Sequence, residues 1–114
     1  MTSKKDEKKE PVVKNPVEWL LNALIGCMTT TTAYHAASRN IVVESIESQI
    51  EGDLDLRGFL GISPDVRKGY SAIRVRMRVK TNAEPATIKA LTTMSPVFDV
   101  VSRGVPVDVK IETY

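Results

Sequence analysis

Cys27 is the single cysteine of this 114-residue chain, and His35 is its single histidine. Each bounds the chemistry available. One cysteine excludes an intramolecular disulfide and a Cys-rich zinc site. One histidine makes a His-based metal site equally hard to build, so no metal and no cofactor is expected. His35 stands eight residues beyond Cys27, about 12 Å along a regular helix. A Cys–His dyad within that helix is therefore excluded, and His35 reads as a partly buried or surface side chain. Two readings stand for Cys27. A lone buried cysteine ordinarily behaves as a small hydrophobe. A reactive thiol instead needs its thiolate stabilised, since a free cysteine is only a few per cent ionised at neutral pH. Mid-helix placement supplies little macrodipole help. The support must come from elsewhere in the fold, with an arginine as the natural source. Gly26, directly before it, fits a tight approach by another backbone.

A second set of chemistry-bearing residues is the basic stripe Arg74, Arg76, Arg78 and Lys80. Such a stripe can bind phosphate or RNA. No aromatic residue interleaves with it, as a base-stacking platform requires. An acidic row, Glu47, Glu51, Asp53 and Asp55, offers a competing partner. Pairing the two runs as neighbouring strands sets opposite charges across from each other, and the stripe then reads as a solvated face.

The elements that must position these residues follow from caps and periodicity. Asn15-Pro16 is a helix start, with Asn as N-cap and Pro at the first position. Glu18, three residues on, has capping-box spacing. From there one long helix runs to Arg39-Asn40, about 35 Å. Its first half is apolar nearly all round (Val17, Trp19, Leu20, Leu21, Leu24, Ile25, Met28), the pattern of a helix enclosed on several sides. The Thr29–Thr32 run is a weak point where it could break. Residues 44–56 and 72–80 alternate with period two and read as strands. The connection 57–69, rich in glycine, reads as a long functional loop. A helix starts at Glu84-Pro85. Ser95-Pro96 interrupts it and restarts a second helix that Gly104 closes. Residues 105–111 alternate Val105, Val107, Val109 and Ile111 with polar positions and read as a last strand, with Pro106 placing it at an edge. The layout is α+β, a mostly antiparallel sheet packed on helices.

Composition sets the frame. Hydrophobic residues make up 42% and charged residues 26%, ordinary for one soluble globular domain. Residues 1–13 form a charged tail that cannot bury enough surface to order itself. Residues 14–114 form the domain. The net charge of +2 argues against nucleic acid and membrane partners. The longest apolar stretch, Trp19 to Met28, is half of the roughly 20 residues a membrane span needs. With no apolar leader segment, a cytoplasmic location is the default.

The run NPVEWLLNALIGCMTTTTAYHAASRNI, with Asn15, Pro16, Glu18, Leu20, Leu21, Ala23, Leu24, Gly26 and Cys27 in order, resembles the central helix of the OsmC/Ohr family. These are the osmotically induced and organic-hydroperoxide-resistance proteins. The resemblance continues through EGDLDLRGFLGISPDVRKGY and SPVFDVVSRGVPVDV, and covers roughly residues 14–112. It implies an OsmC-like α+β fold built as an intertwined homodimer, with long central helices buried beneath the sheets. It also implies thiol-dependent reduction of organic hydroperoxides as part of oxidative stress defence. The peroxidatic cysteine would be Cys27, oxidised to a sulfenic acid, with an external thiol as reductant.

The chain departs from that pattern in three places. The second, resolving cysteine corresponds to Ser95, which cannot form a disulfide and is sufficient as an N-cap. The family's arginine upstream of the helix has no counterpart before Asn15, where this chain has only lysines. The carboxylate that orients that arginine corresponds to Val17. Its neighbour Glu18, nine residues from Cys27, falls on the opposite side of a regular helix and reads better as a cap. The candidate site is therefore Cys27 with Glu18, Ser95, and a guanidinium from Arg57 or Arg67, contributed by the 57–69 loop or by a partner chain. The competing reading is a dimer that has lost turnover and binds an apolar ligand or serves as an assembly subunit.

Overall fold

The computed structural model describes residues 15–114; the charged tail 1–13 lies outside them. Helix α1 (Pro16–Ser38) begins where the sequence places it. The Asn15 side chain accepts from the Val17 N–H at 2.8 Å, Pro16 opens the first turn, and Glu18 stands at its positive end. The helix does not break at Thr29–Thr32. The Thr32 hydroxyl donates back to the Met28 carbonyl at 2.8 Å, satisfying a polar group that the core would otherwise leave stranded. Asn40, with φ 58°, then takes the left-handed conformation that ends the helix.

Strands β1 (Val43–Leu54) and β2 (Tyr70–Thr81) form a two-stranded antiparallel sheet. The register sets Glu47 opposite Arg78, Gln49 opposite Arg76, and Glu51 opposite Arg74. Arg74 reaches Glu51 at 2.7 Å and Asp53 at 2.9 Å, and Arg78 reaches Glu47 at 3.1 Å. Arg74, Arg78 and Lys80 are thus matched by acids on the exposed face, while Arg76 faces Gln49. The opposite face carries Ile46 against Val79 and Ile50 against Val75.

Between the strands, the sequence reading of an uninterrupted loop needs correction. Residues Leu56–Leu60 form a short helix, α2. Asp55, expected inside the first strand, is instead its N-cap, accepting from the Arg57 N–H at 3.0 Å. Gly61, at φ 74°, closes it. Gly58 packs directly against the backbone of Val66 and Arg67, which folds the loop onto itself. Helix α3 (Pro85–Thr92) and helix α4 (Pro96–Arg103) follow, with Ser95 capping α4 by accepting from the Phe98 N–H at 3.1 Å.

The core lies where α1 meets these two helices and the open end of the hairpin. Leu24, Met28, Thr32 and Ala36 are buried along α1, a single row four residues apart. Ile88 and Leu91 of α3 close over Ala36, with Ile41, Val43 and Val79 at the margin. One expectation fails against this arrangement, and another reaches beyond a single chain. The first half of α1 is not enclosed within one chain: Trp19 is 54% exposed, and Val17 and Leu20 are exposed with it. Only one row of the helix finds cover, because β1, α3 and α4 approach from one side. Residues 105–111 form no strand. Val107 is 79% and Ile111 81% exposed; alternation alone makes no strand until the segment pairs with a neighbour.

Candidate functional site

The site is built where α1 passes the start of α4. Cys27 is half-buried on α1, between Leu24 and Met28 of the core row. The Thr31 hydroxyl oxygen, one turn along, is 3.9 Å from its sulfur, and the Ser95 hydroxyl and Val97 backbone N–H are the neighbouring donors that act on the thiol. Ser95 and Val97 belong to the first turn of α4, where backbone N–H groups have no helical partner and the dipole favours negative charge. Pro96 between them carries no N–H, so the turn is preset without wasting a donor. Ser95 accepts from Phe98 on one lone pair, which leaves its own proton free for the sulfur.

These contacts hold the Cys27 thiol below its ordinary pKa. The Ser95 hydroxyl contributes most, then the Val97 N–H, while partial burial pushes the other way and Thr31 adds a little. A thiolate is favoured here by oriented neutral donors at the end of a second helix. Of these groups, Cys27 and Ser95 were named from the sequence as candidates; Val97, which enters through its backbone N–H, was not. The signal was available: Ser-Pro opening a helix announces an N-terminus, and an N-terminus can hold a thiolate.

The other sequence-expected residues lie apart from the sulfur in this chain. Arg57 is held by Asp55 in a two-pronged pair at 2.6 and 3.0 Å, which holds the Asp55 carboxyl down at about 2. Arg67 lines an apolar groove with Leu20, Leu24 and Phe98. Glu18 sits at the start of α1 beside Tyr70, whose hydroxyl donates to the Val17 carbonyl at 2.8 Å. Burial there, with the Glu18 charge adding to it, raises the Tyr70 pKa. His35 contacts Arg39 through Nδ1 at 2.8 Å, at the far end of α1. Gly26 meets nothing within 4 Å of where a Cβ would stand, so among the described residues no backbone from outside its helix approaches it.

Two grooves open along the core row of α1. One, about 610 Å³, runs between the apolar face of β2 (Val75, Met77, Val79) and Met28, Ile88 and Phe98. The other, about 500 Å³, continues along Ile73 to Leu24, Val101 and Arg67. Phe98, whose N–H is bound by Ser95, borders both. Cys27 itself lines neither; its helix neighbours Leu24 and Met28 do.

A family model described as OsmC-like protein matches residues 11–110. The chain belongs to this family. No curated protein matches it. The α+β architecture of an OsmC-like protein, with its long helix, paired shorter helices and antiparallel sheet, is the one described above. Membership supports a redox- or peroxide-related role and the theme of oxidative stress. No helix among the described residues is long and apolar enough to cross a membrane.

Proposed function

We propose that this OsmC-like protein reduces organic hydroperoxides, with Cys27 as its only redox-active group. The observation that carries the reading is the Cys27 sulfur set against Ser95 and Val97 at the start of α4, with its pKa lowered. The thiolate attacks the terminal oxygen of the hydroperoxide. The O–O bond breaks, the alkoxide leaves and takes up a proton as an alcohol, and the sulfur keeps the hydroxyl as a sulfenic acid. The emerging alkoxide is the charge that must be met. Arg67 on the groove wall and Arg57, each from its own loop or from a second copy, are the proposed cations, with Glu18 marking the helix start beside them. The apolar grooves suit an alkyl chain better than a small polar peroxide.

With Ser95 where a second sulfur would be needed, resolution falls to an external thiol. Its attack on the sulfenic acid releases water and leaves a mixed disulfide. A second thiol then frees Cys27 as the reductant pair is oxidised. Such thiols are abundant in a reducing cytoplasm, the proposed location. The bare apolar start of α1 supports association of two copies as a homodimer.

The test is oxidation at stoichiometric peroxide, followed by intact mass. Reduced protein is expected to gain one oxygen at Cys27, faster with an organic hydroperoxide than with hydrogen peroxide. A reduced Cys27 that gains none within minutes overturns the reading. The competing assignment, a non-catalytic dimer holding an apolar ligand or serving as an assembly subunit, draws on the 610 Å³ groove that Cys27 does not line. It is favoured if a fatty acid binds while Cys27 stays inert.

A further inference from the structure

Thr32 and Thr92, sixty residues apart in sequence, bring their hydroxyl oxygens to 2.6 Å in the core. Thr32 is 0% exposed and Thr92 4%. Each hydroxyl also points to its own helix: Thr32 to the Met28 carbonyl at 2.8 Å, Thr92 to the Ile88 carbonyl at 3.0 Å. Two hydroxyls supply two protons for three contacts. At 2.6 Å the contact between the two oxygens must carry one of those protons, so one of the two carbonyls is released.

The pair is wired to the thiol at both ends. Met28, bonded to Thr32, is the residue after Cys27. Thr92 accepts the Ser95 N–H through its carbonyl at 3.2 Å, and Met94 bonds back to Leu91 at 3.2 Å, so the turn from Thr92 to Ser95 is closed and stiff. Ser95 is itself 0% exposed. We propose that the Thr32–Thr92 hydroxyl pair is a positioning clamp that sets how closely the start of α4 approaches the Cys27 sulfur. The reason is distance. Hydrogen-bonded oxygens close to 2.6 Å, whereas two methyl groups in their place stand about 3.5–4 Å apart. Replacing the pair by valine keeps shape and polarity balanced but widens the spacing by roughly 1 Å. That displacement passes through the closed turn to Ser95 and Val97. The groups facing the sulfur are Thr31 from α1 and Ser95 and Val97 from α4; none is charged.

The proposal rests on the reading of Cys27 as a working thiol, and its test separates the two. The thiolate absorbance of Cys27 and its alkylation by iodoacetamide are followed against pH. The proteins compared are the wild type, Thr32→Val/Thr92→Val, and Thr32→Ser/Thr92→Ser. The wild type is expected to titrate below an ordinary thiol. The valine pair is expected to titrate higher and to alkylate about three- to tenfold more slowly at neutral pH, because only the thiolate reacts. The serine pair, which keeps both hydroxyls, is expected to retain the wild-type curve. Removing both partners together is the mildest way to lose such a bond. Should the double valine variant not fold, Thr92→Val alone carries the same readout. A folded valine variant with an unchanged titration overturns the clamp and leaves the peroxidase reading standing. A wild-type thiol at its ordinary value sinks both.

Discussion

At the scale of single residues, Cys27 gains its character from Ser95 more than from its own helix. Ser95 caps α4 by accepting from Phe98, and its hydroxyl is the first cause of the lowered Cys27 pKa. Ser95→Cys is expected to form an intramolecular disulfide with Cys27 after one equivalent of peroxide, read as a loss of free thiols without a mixed disulfide. The same change weakens the cap, which costs about 1 kcal/mol in a melt. Ser95→Ala should move the pH dependence of Cys27 alkylation upward. The sign follows from the direction of the shift. A lowered pKa means that the thiolate, and its reactivity, is already present at a pH where a free cysteine is protonated. Losing the Ser95 donor moves that onset to higher pH. The single cysteine and its lack of a partner sulfur were legible in the sequence. The Val97 N–H was not, because a backbone donor leaves no mark on residue identity.

At the scale of elements, caps carried the reading well. Asn15-Pro16, Glu84-Pro85 and Ser95-Pro96 open three helices where expected. The charge pattern of 44–56 and 72–80 paired as opposite rows. The short helix α2 went unread, although Asp55 and Gly61 carry ordinary start and stop signals, because glycine content outweighed them. The loop it belongs to depends on Gly58. Alanine in a helix interior ordinarily stabilises relative to glycine by about 1 kcal/mol. At position 58 a Cβ runs into the backbone of Val66 and Arg67, which cannot swing aside like a side chain. Gly58→Ala is therefore expected to destabilise by about 1–3 kcal/mol, measured as a lower urea midpoint. A variant at or above the wild-type midpoint would show that the loop yields freely.

For the whole molecule, the informative observation is what one chain leaves bare. Trp19 and Leu20 on α1, and Val105, Val107, Val109 and Ile111 beyond α4, remain exposed. From the sequence, the first set reads as part of a helix enclosed on several sides and the second as an edge strand. The patterns were legible; their cover is not among the described residues, and a sequence does not say what supplies it. Each strand of the two-stranded sheet has a free edge able to accept an extended segment. The expectation is that the protein sediments as a dimer, and that Val107→Asp/Val109→Asp shifts it toward a monomer while the helical circular dichroism persists. A wild-type monomer at micromolar concentration would contradict the proposed homodimer. A dimer untouched by the substitutions would move its interface to α1.

The matched charge rows of the hairpin also bear on how the chain finds its shape. Before any ladder bond exists, one run of the nascent polypeptide is acidic and the next is basic, joined by a tether that begins at Asp55 and ends at Gly69. Their attraction acts over roughly 10 Å at about 0.1 M salt and over about 3 Å in molar salt. It brings the runs together early and disfavours slippage, because a shift of one residue turns the greasy rows outward. The same rows that neutralise the finished surface thus guide its assembly.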